Sequence, residues 1–246
     1  MITLALDTST ARGAVALLRD ETPVAEEFFS REVVVGRVPS RGGVRSPQSP
    51  AEGSGPTTDL FSALNVVAAN LVRGGPRASS QLQFDQIAVG VGPGSFTGIR
   101  AGIAAAKGLA LPRLGVGVKA VSSFDALAMT VAPQMPRDCA AMCVLADARR
   151  DEVYVAMYDR AGKPTSDCRI ATLESVADEI HATVWFVSPE IEKYRATLAE
   201  LFGGFATPCA QPVFPSAAAL GWIARTRESK LPLEPIYLRT PQYKTV

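Results

Sequence analysis

Two stretches of this chain share one design, 140 residues apart. Leu4-Ala-Leu-Asp7 and Val144-Leu-Ala-Asp147 are each an apolar run ending in an aspartate. Eight residues after each Asp a second apolar run begins, Val15-Ala-Leu17 and Val155-Ala-Met157. A strand–Asp–turn–strand unit that occurs twice implies a duplicated fold, with two related lobes and a cleft between them. A carboxylate at the end of a buried strand projects into such a cleft, where it can hold a hydrated divalent cation that bridges a nucleotide's phosphates. The turns themselves argue the other way. Thr8-Ser-Thr10 and Ala148-Arg-Arg150 are polar but lack the glycine that close backbone approach to phosphate prefers. Arg149 and Arg150 can meet an anion, or pair with Asp151 and Glu152; both readings stay open.

The second constraint is Gly92-Pro-Gly-Ser-Phe-Thr-Gly98, set between the apolar run at 87–91 and a small-residue segment from Ile99 to Leu111. It is neither a Walker A loop nor a G-x-G-x-x-G loop, because no Gly-Lys-Ser/Thr follows and the glycine spacing differs. A glycine turn feeding a helix leaves backbone N–H groups free, with Ser95 and Thr97 available as caps, and that makes an anion site. A tight structural turn accounts for the same residues. Gly92, Gly94, Ser95, Thr97, Gly98, Asp7 and Asp147 are therefore the candidate nucleotide-binding positions, working or vestigial.

Composition removes several classes of function. A net charge of +1 lacks the basic excess of a freestanding nucleic-acid binder, so any RNA contact is local or shared with a partner. The single histidine, His181, excludes paired-His metal sites and makes a Ser-His-Asp arrangement improbable, since it sits where a helix ends before the run Val184-Trp-Phe-Val187. The four cysteines form no C-x-x-C pair; Cys139 and Cys143 lie in an apolar run, as buried thiols of a reducing compartment do. Met1-Ile-Thr-Leu-Ala-Leu-Asp7 has no basic n-region, and the apolar stretch near 101–121 is broken by Lys107, Pro112, Arg113 and Lys119. A soluble cytoplasmic protein without a membrane span is expected, and no metal site.

Hydrophobic periodicity places strands before helices in each half. Runs at 2–6, 14–18 and 23–35 read as a meander, and residues 84–91, 114–118, 144–158 and 184–187 as further strands. Helices are expected over 57–73, 99–111, 121–129, 173–181, 191–201 and 215–227. The stretch 36–56, rich in Pro, Gly, Ser and Arg, cannot build a core and reads as an exposed mobile loop. The first lobe is expected over 1–112, with the tail 228–246 returning to it, and the second over 113–227. In the helix at 57–73, Leu60, Leu64, Val67 and Leu71 fall on one face, the candidate partner interface.

Several stretches, in order over nearly the whole chain, resemble the TsaB (YeaZ) family. They are Ala5-Leu-Asp-Thr-Ser-Thr10, Gly92-Pro-Gly-Ser-Phe-Thr-Gly-Ile-Arg100, Gly117-Val-Lys-Ala-Val-Ser-Ser-Phe-Asp-Ala-Leu-Ala128, Leu145-Ala-Asp-Ala-Arg-Arg-Asp-Glu-Val-Tyr154 and Glu234-Pro-Ile-Tyr-Leu-Arg239. The resemblance implies an α/β fold of the actin-like, sugar-kinase and Hsp70 (ASKHA) type, with two related lobes of mixed five-stranded sheets flanked by helices. It implies a non-catalytic scaffold and activator in making threonylcarbamoyladenosine next to the anticodon of tRNA, paired through the amino-terminal lobe with a TsaD-like paralogue. A TsaE-like ATPase joins that complex, and tRNA is met through it. TsaD-like enzymes hold their metal with an H-x-x-x-H pair, which this chain cannot supply. No cofactor of its own is then required; ATP or ADP at a subunit interface stays open, as does a homodimer without the partner. One departure concerns 30–58, where a His-containing motif of the family is missing. Two other readings compete: an ATP-dependent phosphotransferase using Asp7 and Asp147, and a glycoprotease-like hydrolase, which the histidine count opposes.

Overall fold

A computed structural model describes residues 1–30, 59–72 and 84–239, with the backbone alone at 70–72. The first sheet starts as an antiparallel meander, β1 (Ile2–Asp7), β2 (Arg12–Arg19) and β3 (Thr22–Ser30). Two parallel strands follow on the other side of β1, β4 (Gln86–Gly90) and β5 (Gly117–Val121), giving the order β3-β2-β1-β4-β5. The second sheet contains β6 (Ala141–Arg149), β7 (Glu152–Tyr158), β8 (Arg169–Ala171), β9 (Val184–Val187) and β10 (Ala206–Pro208). Its order is β8-β7-β6-β9-β10. Strand for strand this repeats the first, with β1 matched by β6. Two mixed five-stranded sheets of one topology, flanked by helices, make the duplicated fold that the paired Asp turns pointed to and the ASKHA superfold that the family resemblance implied.

The helices close both lobes. They are α1 (Leu60–Val72), α2 (Phe96–Ala110), α3 (Ser123–Val131), α4 (Leu173–Ala177), α5 (Ile191–Phe202) and α6 (Ala217–Thr226). Ser95, Ser122, Thr172 and Ser216 cap α2, α3, α4 and α6 through their hydroxyls. Asp59 accepts the Ser62 amide at 2.8 Å and opens α1. The expected strand extension over 31–35, the loop 36–56 and the caps Thr57 and Thr58 lie outside the described residues.

Two expectations need correction. The division expected at residue 112 falls before β5, yet β5 pairs with β4 in the first sheet; the β4–α2–β5 crossover is completed only at Val121. Nor does α6 belong to the second lobe. Its Leu220, Ile223 and Ala224 pack on Ala5, Ala16, Leu18 and Ala88 of the first sheet. The Glu26 carboxylate of β3 fixes its start, accepting from Ser216 Oγ at 2.8 Å and the Ala218 amide at 3.0 Å. Helix α3 lies between the lobes, with Phe124, Leu127 and Val131 in the second core and Ala126 in the packing under α6.

The second correction concerns α1. Leu64 and Val67 face the first core, with Val67 fully buried, and Leu60 packs at its margin. They are not an open partner face; the exposed side of α1 carries Phe61 instead. The Leu71 side chain is outside the described set. Cys139, Cys143 and Cys209 are buried free thiols, and burial pushes the partly buried Cys168 thiol up to about 12. His181 is exposed, beyond the end of α4. Among the described residues no helix is long and apolar enough to cross a membrane.

Candidate functional site

A cleft of about 650 Å³ lies between the lobes. Its first wall is rich in hydroxyls, from Ser9, Thr10, Ser95 and Thr97. Its second wall carries Asp147, Arg149, Tyr154 and Glu190. Both turns that follow the paired aspartates therefore reach the cleft, and so does the glycine loop. The two aspartates themselves part ways.

Asp7 is 1% exposed and does not line the cleft. Its Oδ1 accepts the Ser9 amide at 2.8 Å and the Ser9 hydroxyl at 2.6 Å, and its Oδ2 accepts the Ser123 hydroxyl at 2.6 Å. These three bonds occupy the carboxylate, and a side chain at Gly90 would strike it. The expectation that Asp7 projects into the cleft to hold a cation is corrected: the carboxylate turns inward and ties β1 to the start of α3. Among the described residues no group of three or more His, Cys, Asp and Glu side chains is placed for a metal ion.

Asp147 does line the cleft. Lys193 Nζ lies 3.0 Å from its Oδ2, Arg149 Nη1 lies 3.7 Å away, and the Arg149 amide donates to Oδ1 at 2.8 Å. Burial raises its pKa, but Lys193 and the Arg149 amide outweigh this and leave it below 3.8. Glu190 moves the other way: burial first, then the charge of Asp147, push its carboxyl above 4.5. The signs differ accordingly. The Asp147 contacts stabilise the fold fully above pH 3.8 and are lost as pH falls through the lowered value. Glu190 favours the fold below 4.5, and that contribution disappears as pH rises through the raised value. Carboxyl NMR titration should find the two midpoints on opposite sides of these values, and Lys193→Ala should raise that of Asp147. An Asp147 midpoint indifferent to Lys193 would refute the assignment.

The glycine loop resolves as a structural junction whose rim faces the cleft. Gly92 and Gly94 have φ of +94° and +149°, where a β-carbon is strained, and a side chain at Gly94 would collide with the Ser9 carbonyl. The Ser95 amide donates to that carbonyl at 2.7 Å, the Ser123 amide to the Gly92 carbonyl at 2.8 Å, and Thr8 Oγ1 to the Gly98 carbonyl at 2.7 Å. Gly92 and Gly98 are buried, while Gly94, Ser95 and Thr97 line the cleft. The loop thus locks the first Asp turn to α2 and α3.

Opposite it, Arg149, Arg150 and Asp151 all have positive φ, 65°, 59° and 59°. Left-handed backbone costs an ordinary residue about 1–2 kcal/mol, so this bend needs support from its neighbours. Arg239 supplies part of it, donating to the Ala148 carbonyl at 3.1 Å and to Glu152 Oε2. Sequence reasoning did not single out Ser123, Glu190, Lys193 or Arg239 as site residues. Ser123 and Arg239 gave a signal through the family resemblance, lying in the stretches 117–128 and 234–239; Glu190 and Lys193 gave none.

A family model described as TsaD, tRNA N6-adenosine threonylcarbamoyltransferase, matches residues 77–216. An uncharacterized protein of Mycobacterium tuberculosis is 33% identical over 168 residues, covering 68% of this chain and 70% of that protein. The tRNA threonylcarbamoyladenosine biosynthesis protein TsaB of Bacillus subtilis is 26% identical, covering 97% and 94%. The structure of YeaZ from Pseudomonas aeruginosa superposes with a TM-score of 0.63 at 25% identity, over 96% of this chain and 99% of that one. The chain belongs to this family, in its TsaB (YeaZ) branch. The TsaB family is that of tRNA threonylcarbamoyladenosine biosynthesis, and the two-lobed body described above is its fold. TsaB of Escherichia coli is 43% identical over a shorter span of 88 residues.

Proposed function

We propose that this protein is the non-catalytic scaffold and activator subunit in forming threonylcarbamoyladenosine next to the anticodon of tRNA, paired with a TsaD-like paralogue through the outer face of α2. Gly108 carries this reading. It is exposed in the last turns of α2, and a β-carbon there would meet nothing within 4 Å. Glycine inside a helix costs about 1 kcal/mol relative to alanine, and no neighbour within the described fold requires it. A partner helix packed closely against this face supplies the reason. Ala101 and Ala104 are exposed along the same side, and Leu111 and Leu114 extend it at 87% and 105% exposure. Exposed leucines beyond the end of a helix whose outer face carries small residues, with Arg100 and Lys107 exposed beside them, suit an interaction site.

The cleft supports a scaffold in a different way. With Asp7 bonded to two serines and Asp147 engaged by Lys193 and Arg149, neither carboxylate is free for a phosphotransfer centre. In this reading the transferase chemistry belongs to the TsaD-like partner, a TsaE-like ATPase joins the pair, tRNA is met through the assembly, and this chain needs no cofactor of its own. Co-purification with a TsaD-like protein should give a stable heterodimer, and reconstituted tRNA modification should require this chain. Unchanged modification on its omission, or brisk ATP turnover by the isolated protein, would defeat the proposal.

A further inference from the structure

The C-terminal strap, residues 229–239, touches both lobes. Ser229 Oγ donates to the Ala120 carbonyl of β5 at 2.5 Å, and Leu233 and Ile236 pack at the margin of the first core. The Ile236 amide donates to the Val91 carbonyl at 2.9 Å, at the base of the glycine loop. Tyr237 rests its ring 5.7 Å from that of Phe96, the first residue of α2. Arg239 then reaches the second lobe, where it binds the Ala148 carbonyl and the Glu152 carboxylate. Those two acceptors bracket the left-handed bend at Arg149, Arg150 and Asp151.

We propose that this strap is a clasp across the cleft, and that Arg239 is a positioning residue which holds the second-lobe bend in its strained form opposite the glycine loop. The geometry favours this over simple edge covering. From Ser229 to Tyr237 the strap bonds to and packs on the first lobe; among the described residues Arg239 is where it crosses over, engaging two acceptors that flank the strained segment. One guanidinium nitrogen, Nη2, donates to both the backbone carbonyl and the carboxylate, so a single charge-assisted group ties the two ends of the bend together. Its capture of Glu152 also removes that carboxylate from Arg150, which has no ion pair among the described residues.

The test uses the full chain carrying Arg239→Ala, Glu152→Gln or the exchanged pair Arg239→Glu with Glu152→Arg. Hydrogen exchange in the hairpin 146–153 should speed up about tenfold or more in each single variant, together with trypsin cleavage at Arg149 and Arg150. The change should be confined to the hairpin and the loop at 91–98, with the amides of β1 and β9 as protected as before. The relative orientation of the lobes, read from residual dipolar couplings, should shift in Arg239→Ala. The exchanged pair keeps the charge contact but has no donor for the Ala148 carbonyl, so it should restore part of the exchange protection. Hairpin exchange and cleavage at the original rates in both single variants would overturn the proposal. So would a uniform loss of protection throughout the chain that the exchanged pair fails to repair.

Discussion

Gly108→Trp is expected to abolish pairing with the TsaD-like partner while leaving this protein folded. A side chain at 108 enters open space, so nothing inside the fold is displaced. Replacing glycine within a helix also gains roughly 0.5 kcal/mol of helix propensity, and the melting temperature should rise by about 1–2 °C. At a closely packed helix face the same ring forces the partner away. Loss of a central contact of this kind costs on the order of 2–4 kcal/mol, so affinity should drop about 30-fold to 1,000-fold. Isothermal titration against the partner and a thermal melt of the isolated protein separate the two effects. Undiminished affinity would place the docking face elsewhere on the molecule, whatever the outcome of the reconstitution assay.

Val67→Asp should do the reverse and unfold the chain. Val67 is fully buried between α1 and the first sheet. The substitution forfeits about 1.5–3 kcal/mol of burial and adds several kcal/mol for an unpaired buried charge. The sum approaches the whole stability of a typical domain, about 5–15 kcal/mol. Circular dichroism should show a lost or sharply lowered transition. Phe61→Asp is the control on the opposite face, where 70% exposure limits the effect to about 0.5 kcal/mol. A folded Val67→Asp that merely failed to bind its partner would return this helix to the role its apolar stripe suggested.

That stripe shows where reading the sequence stops. Periodicity identifies the buried face of a helix, but whether a sheet or another protein covers it is decided by the packing of remote elements. The duplicated strands were legible because each unit is local: the alternation, the aspartate and the turn lie within about a dozen residues. The fate of each aspartate was not. Asp7 and Asp147 end matched strands, yet Ser123, more than a hundred residues downstream, draws Asp7 inward, while Lys193 holds Asp147 at the cleft. The glycine loop was half legible. Its turn and its cap at Ser95 follow from residue type, and its bonds to Ser9 and Ser123 come from tertiary structure alone. Chain order likewise misassigned α6, because a helix that follows the second sheet in sequence crosses back to the first.

That crossing bears on how the protein is made. The sheet face formed by Ala5, Ala16, Leu18 and Ala88 finds most of its cover in residues 217–226, with Ala126 of α3 beside them, and Glu26 waits for Ser216 and the Ala218 amide. A nascent chain leaving the ribosome therefore has its opening strands in hand almost two hundred residues before the helix that seals them. The amino-terminal half remains a client for chaperones until translation is nearly over. Premature termination anywhere upstream of Ala217 should yield sticky fragments in place of a functional half-molecule.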